Sequence, residues 1–328
     1  MTISVAWAGL LTTVQDLGRV GFRQHGVSSG GALDPYALTI ANLVIANEPA
    51  AAGLEMTFGT ARLKFAENRL VAWCGGDFDV ETAGIKLAAG HAALVCAGEE
   101  MRVNAPAGGG RAWCALSGGI DVPSVLGSRA TDLRSRFGGF DGRPLVDGDV
   151  LRLGHPTTNA SNLAKRLAQS RITSWSAPSE WASTKPHHPF LRIVRGEDWV
   201  RFDPAVTSEL VQGSFTVTGD SDRMGVRLDG PRISRHEDGE LVSETVAPGT
   251  IQIPPNGQPI VLLGDCQTIG GYPKIAHVIS VDLPAAAQLS PADVVRFAEV
   301  SLSEAHALLI ERARELAWFR AGVALKFA

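Results

Sequence analysis

Residues 16–26 read DLGRVGFRQHG and residues 220–230 read DSDRMGVRLDG. Both fit D-x-x-R-x-G-x-R-x-x-G, with Asp16/Asp220, Arg19/Arg223, Gly21/Gly225, Arg23/Arg227 and Gly26/Gly230 in register. Three further matches follow in the same order: GLEMTFGT (53–60) with VSETVAPGT (242–250), LVAWCGGD (70–77) with IVLLGD (260–265), and AGEEMRV (97–103) with SPADVVRF (290–297). Several matches in one order argue for duplication, and a repeat constrains architecture more tightly than any single motif. The two halves are therefore read as related units.

Each half carries short apolar runs of strand-like composition, such as ARLKF, LVAWC, AALVC, TIQI and PIVLLG. Turn formers separate them, as in Pro254-Pro255-Asn256-Gly257, and this spacing suits a barrel or sandwich. The repeated glycines imply positive φ or a close backbone approach. An Asp–Arg bridge within each copy is the structural reading of Asp16/Arg19 and Asp222/Arg223. Residues 1–153 and 190–328 are read as two domains, joined by a Ser/Thr/Pro-rich linker at 154–189 with a short helix over LAKRLAQ (163–169). One helix is expected after Asp34, with Pro35 at its first position, running through 36–47. Another is expected after the capping box Ser301–Glu304, ending at Gly322. The expected fold is mainly β, with a few peripheral helices.

The chain has 328 residues, 45% hydrophobic and 20% charged, with net charge −4. These values suit a globular protein and give no basic footprint for nucleic acid or an anionic membrane. Neither a signal peptide nor a membrane span is recognisable, which with the cysteine usage points to the cytoplasm. The four cysteines lack C-x-x-C spacing, so neither a disulfide framework nor a zinc site is expected.

Residues 26–30, GVSSG, match the G-x-S-x-G of a nucleophile elbow. That elbow needs a buried strand before the serine, and GRVGFRQHGV is punctuated by glycines and charges. Ser28 is therefore set aside as a nucleophile. Ser29, Gly30 and Gly31 lead into a helix start, where free amides suit an anionic ligand, although Asp34 competes for them. No P-loop and no H-E-x-x-H motif occurs, no metal site is expected, and His187-His188 reads as solvated linker.

The densest polar cluster is GDCQTIGGYPKIA (264–276), a glycine-hinged loop after an apolar run. Lys274 is suited to holding a carboxylate, and Gln267 and Thr268 to hydrogen-bonding an amide, beside Tyr272. A turn shaped only by its backbone is the equal alternative. Cys266 has no partner base except Asp265, which argues against a nucleophile. Asp222 and Arg223 complete the candidate set, with Asp222 and Lys274 as candidate catalytic groups. Asp121, Ser128 and Arg129 stand in a second glycine-rich segment (115–133).

Taken together, TTVQDLGRVGFRQHGV, GGALDPYAL, SGGIDVPSVLGSRATDLRSRFGGFDGRPL, DSDRMGVRL and PPNGQPIVLLGDCQTIGGYPKIAHVISVDLP resemble the biotin-dependent carboxyltransferase family, also called the allophanate hydrolase subunit 2 family. The resemblance covers roughly residues 7 to 300. It implies two tandem cyclophilin-like β-barrels and one of three roles. The first is the C component of an ATP-dependent 5-oxoprolinase, acting with separate A and B components to open 5-oxo-L-proline to L-glutamate. The second is the carboxyltransferase part of a urea-carboxylase-like enzyme. The third is a non-catalytic regulator that binds a kinase inhibitor resembling the oxoprolinase B component. No lysine stands between two methionines, so no biotin is attached to this chain, and the resemblance then favours the first role. ATP would be bound mainly by a partner protein. Cys266 and Ile269 depart from the family's usual residues in the loop.

Overall fold

A computed structural model describes residues 1–106, 110–182, 190–235 and 241–327. The chain divides into two compact units. Unit 1 comprises Met1–Arg19, Gly30–Lys185 and Ala317–Ala328, and unit 2 comprises Val20–Ser29 and Pro186–Leu316.

Unit 1 contains strands β1 (Thr2–Trp7), β2 (Leu11–Gln15), β3 (Gly53–Thr57), β4 (Thr60–Phe65), β5 (Arg69–Gly75), β6 (Asp79–Thr82), β7 (Ile85–Lys86), β8 (Ala93–Val95), β9 (Glu100–Asn104), β10 (Arg111–Leu116) and β11 (Val150–Arg152). They form a six-stranded sheet, β11-β1-β4-β9-β6-β7, and a five-stranded sheet, β2-β3-β10-β5-β8. One apolar core takes Ile3, Leu63 and Val103 from the first sheet and Leu54, Val71 and Cys114 from the second. Helix α1 (Pro35–Val44) packs on β5 and β10. Those two strands are thus covered on both faces, which is why LVAWC and AWCAL read as continuous apolar runs rather than alternating ones. Asp34 caps α1 as expected, its carboxylate accepting from the Ala37 amide at 2.9 Å, with Pro35 in the first turn.

Unit 2 contains β12 (Phe190–Arg195), β13 (Phe215–Val217), β14 (Gly225–Asp229), β15 (Glu244–Thr245), β16 (Thr250–Gln252), β17 (Ile260–Leu262), β18 (Ile269–Gly270), β19 (Lys274–Val278) and β20 (Val294–Glu299). Seven of these close into a barrel, β12-β19-β16-β17-β14-β13-β20. Closure is completed by the parallel pairing of β20 with β12, so this barrel leaves no free edge. Inside, Phe215 and Phe297 meet at 5.7 Å between ring centroids, with Leu191, Ile193, Ile251 and Val261 also buried. β15 and β18 form a separate two-stranded ribbon. The turn at Pro254-Pro255-Asn256-Gly257 joins β16 to β17, as its composition indicates. The fold is mainly β, as expected.

Three local expectations change. Within 154–189, helices α2 (Thr158–Arg166) and α3 (Ser179–Ala182) bury Leu163 and Trp181 in unit 1. Helix α2 starts earlier than the expected 163–169 because the Thr157 hydroxyl caps it, accepting from the Ala160 amide at 3.1 Å. Helix α4 (Pro204–Gln212) and the short α5 (Leu283–Ala287) flank the barrel, and α6 (Leu302–Phe327) runs through Gly322 instead of ending there. The Ser301 cap on α6 does form, with its Oγ 3.1 Å from the Glu304 amide. Finally, the repeated motif adopts two conformations. Residues 225–229 form β14, whereas Arg23–His25 is a single 3₁₀ turn. The pair His187-His188 lies outside the described residues.

Candidate functional site

The first copy of the repeat is tied down by the segment 115–133. The Asp16 carboxylate accepts from the Ser128 hydroxyl at 2.6 Å and from the Gly18 and Arg129 amides. Arg19, fully buried, donates to the Ala130 carbonyl and lies 4.5 Å from the centroid of the Phe137 ring. Arg129 donates to the Val122 carbonyl at 2.9 Å. Ser128 and Arg129 thus act as braces for Asp16.

In the second copy, the exposed Asp222 carboxylate accepts from the Met224 and Gly225 amides at 2.8 and 3.2 Å and closes its own turn. Arg223 turns inward. Its guanidinium grips Asp265 through two bonds of 2.8 and 3.0 Å, with both side chains buried. The bridge therefore links the turn to the 264–276 loop. Bidentate geometry of this kind is both stronger and more directional than a single contact.

Beneath the loop, Cys266 packs with Val246 and Leu262 in a small apolar cluster. Burial pushes its thiol pKa up, against an opposing pull from Arg23, and a protonated buried thiol is a poor nucleophile. Arg23, from the first copy of the repeat, donates to the Val246 and Gln267 carbonyls in unit 2. Among the free cysteines of unit 1, Cys114 is likewise pushed up to about 12 by burial.

A groove of about 480 Å³ opens on unit 2, lined by Asp222, Gln252, Gln267 and Tyr272 together with Asp220, Arg227 and Asp229. It brings together three of the residues singled out in the sequence: Asp222, Gln267 and Tyr272. Gln252, which no sequence signal marked, stands in the middle of the barrel sheet, is 1% exposed, and reaches both Gln267 and the Tyr272 carbonyl. Thr268 is buried, and its carbonyl accepts from the Val246 amide at 3.1 Å.

Lys274 lies opposite Gln252 across the β16–β19 pairing but does not line the groove. Its ammonium donates to Glu244 at 2.8 Å and lies 3.7 Å from Glu197. The Glu244 hydrogen bond raises its pKa above the ordinary 10.5, outweighing the effect of burial. Lys274 is therefore a fixed positive charge rather than a proton donor near neutrality. Glu197 also contacts His277 Nε2 at 3.1 Å, and His277 Nδ1 lies 3.2 Å from the Thr250 hydroxyl. Burial alone would raise the Glu197 pKa, but backbone, His277 and Lys274 interactions together lower it. The Thr–His–Glu chain resembles a nucleophile relay, yet Thr250 is fully buried and also accepts from the Ala247 amide. It braces the barrel.

Ser29 falls in unit 2, and Gly30 and Gly31 fall in unit 1. Around the start of α1, the Ala32 amide donates to the Asp16 carbonyl, the Leu33 amide to Glu55 and the Ala37 amide to Asp34. Two carboxylates thus occupy amides that an anion would need. Among the described residues, no group of three or more His, Cys, Asp or Glu is placed to hold a metal ion, and no helix is long and apolar enough to cross a membrane.

Residues 25–299 match the family described as carboxyltransferase domain, subdomain A and B. The chain belongs to this carboxyltransferase-domain family. It is 36% identical over 322 residues to the C subunit of 5-oxoprolinase from Escherichia coli K12, an alignment covering 96% of this chain and 98% of that one. It is 29% identical to urea amidolyase of Saccharomyces cerevisiae, covering 93% of this chain but 17% of the yeast protein. Among solved structures, Kluyveromyces lactis urea carboxylase superposes with TM-score 0.85 at 26% identity, covering 100% of this chain and 29% of that one. Another solved chain, 30% identical with TM-score 0.77, covers 90% of this chain, which spans 55% of it. The carboxyltransferase-domain chain thus aligns end to end with small relatives and as one part of large ones.

Proposed function

We propose that this carboxyltransferase-domain chain is the C component of an ATP-dependent 5-oxoprolinase, opening 5-oxo-L-proline to L-glutamate with A-like and B-like partner proteins. The observation that carries the reading is the end-to-end alignment with the corresponding E. coli protein, against 17% coverage of urea amidolyase. In the proposed chemistry the lactam oxygen takes the terminal phosphoryl group of ATP and ADP leaves. Water adds to the activated carbon, the C–N bond breaks with the nitrogen taking a proton, and a second water releases phosphate from the resulting acyl phosphate. ATP is a co-substrate held by a partner protein. The groove on unit 2 is a poor place for a triphosphate, because Asp220, Asp222 and Asp229 face it with Arg227 as its lining cation. The groove is the proposed substrate-contacting part of this chain, with Asp222 on its lining and Lys274 acting from outside it, opposite Gln252 in the β16–β19 pairing.

The test is reconstitution from the purified components, in a cytoplasm-like reducing buffer, with ATP-dependent glutamate release as readout. Omitting this chain should remove release; release without it would sink the reading. Lys274→Ala should lower release at least about tenfold while the components still co-purify, because it removes the fixed charge opposite Gln252, whose side chain lines the groove. The superposition on urea carboxylase favours carboxyl transfer as the second reading. It would be supported if a biotin-carrying partner, and not ATP with 5-oxoproline, drove turnover.

A further inference from the structure

The two glutamines of the groove form an oriented relay. Gln252 Nε2 donates to the Tyr272 carbonyl at 3.3 Å, and a backbone carbonyl can only accept. This places the Gln252 amide nitrogen towards Tyr272 and its oxygen towards Gln267. Gln267 Nε2 then donates to Gln252 Oε1 at 3.2 Å. One backbone carbonyl therefore fixes the orientation of both side chains, a matter that side-chain shape alone leaves open.

The relay uses one of the two N–H groups of Gln267. Its second N–H and its Oε1 make no hydrogen bond among the described residues, and Gln267 lines the groove. A primary carboxamide in that state offers a donor and an acceptor side by side. Its complement is an amide locked cis, in which N–H and C=O point the same way. Lactams have that geometry, and ordinary trans peptide bonds do not. Gly270 supplies a second, independent observation. A Cβ at that position would lie 2.8 Å from Gln252 Nε2 and 3.5 Å from Gln267 Nε2, so a side chain there would displace the pair. The loop leaves open space where two amides must sit.

We infer that Gln267 binds a cis amide of the lactam class edge to edge in the groove, and that Gln252 is the residue that positions it. The inference rests on the proposed reading for the identity of the natural lactam, and deepens it by naming the group that reads the amide. Arg227, which has no ion pair among the described residues, is the lining cation available to a carboxylate on the same ligand.

The experiment uses the full chain alone and two probes, 2-pyrrolidinone and N-methyl-2-pyrrolidinone, with binding followed by ligand-observed NMR. The first probe carries the paired N–H and C=O, and the second lacks the donor. The native chain should prefer 2-pyrrolidinone by about tenfold, the scale of one hydrogen bond. Gln267→Met, which has neither group, should bring the preference to about one, whereas Gln267→Glu, which keeps the acceptor for the probe N–H but has no N–H for the probe carbonyl, should weaken binding of both probes and keep the preference. Gln252→Leu should bring the preference to about one while the melting transition shows a folded chain, an effect on selectivity that a purely structural role would not produce. Equal binding of the two probes by the native chain, or an unchanged preference in Gln267→Met, would overturn the inference. The outcome is separable from the enzymatic reading. Glutamate release with Gln267→Met at native KM would remove the inference and leave the oxoprolinase. Gln267-dependent lactam binding without glutamate release would do the reverse.

Discussion

Unit 1 and unit 2 carry the same glutamate and treat it in opposite ways. The third residue of GLEMTFGT is Glu55, and the third residue of VSETVAPGT is Glu244. Glu55 is buried in β3 and accepts from the Leu33 amide at 2.9 Å and from Trp113 Nε1 at 2.8 Å. Glu244 is exposed and holds the Lys274 ammonium. The repeated aspartate–arginine pair diverges in the same way. Asp16 and Arg19 are enclosed, whereas Asp220, the register equivalent of Asp16, is exposed on the groove and Arg223 turns in to Asp265. Duplication supplied equivalent positions, and burial decided their chemistry. Unit 1 turned its copy into bracing, and unit 2 kept its copy at the surface of a cavity.

That contrast can be broken at several points. The largest effect is expected from Arg223→Ala, which leaves the Asp265 carboxylate buried without its bidentate partner and costs about 3–5 kcal/mol in denaturant unfolding. A loss below about 1 kcal/mol would mean that the bridge is not what fixes the loop. Glu55→Gln should come next, at about 1–3 kcal/mol, because two charge-assisted bonds to buried donors are weakened.

The repeated glycines sharpen the comparison further. Gly21 has φ of +93° with open space around it, whereas Gly225 has ordinary φ and a Cβ there would lie 3.0 Å from the Val261 carbonyl oxygen. Gly21→Ala should cost about 1–2 kcal/mol through backbone strain, and Gly21→Asn should recover part of it because asparagine tolerates positive φ. At position 225 the same asparagine should be worse than alanine, since room and not dihedral freedom is limiting. Melting curves of the four variants decide between the two explanations.

The smallest effect belongs to Glu244→Gln, about 0.2–1 kcal/mol, because Glu244 is exposed and Glu197 stays beside the buried Lys274 ammonium. Its pH dependence has a definite sign. The raised Lys274 pKa means that the contribution is whole below the ordinary 10.5 and is lost as pH rises through the higher folded value. Glu197, lowered from 4.5, contributes fully above that value and loses its share as pH falls through the folded one. The difference in melting temperature between native and Lys274→Met chains should therefore stay flat from about pH 5 to about pH 10 and shrink outside that window. A step near neutrality would show that another group governs the cluster.

Much of the fold was legible because it rests on local or repeated signals. The Asp34-Pro35 start of α1, the Ser301 cap and the Pro-Pro-Asn-Gly turn each require particular residues at particular backbone positions. The register of the repeat was legible too, but its conformation was not, because a glycine reads identically whether it supplies positive φ at position 21 or clearance at position 225. Gly322 misled for a related reason. Glycine in a helix costs only about 1 kcal/mol, and α6 continues through it. In the site, the loop 264–276 stood out by polar density, whereas Gln252 sits in an apolar run and became visible only when the barrel placed it under Tyr272. Glu197 and Glu244 were equally silent, since an exposed glutamate carries no sequence mark of its own.

The bond from Arg23 to the Val246 carbonyl joins residues separated by 223 positions, and it belongs to unit 2. At about 5–20 residues per second of synthesis, the arginine leaves the ribosome about 10 to 45 s before its acceptor exists. Throughout that interval residues 20–29, which belong to the later unit, lack the Val246 and Gln267 carbonyls that Arg23 binds in the folded chain. The contact that holds the start of the 264–276 loop therefore cannot form until the second half of the chain has been made.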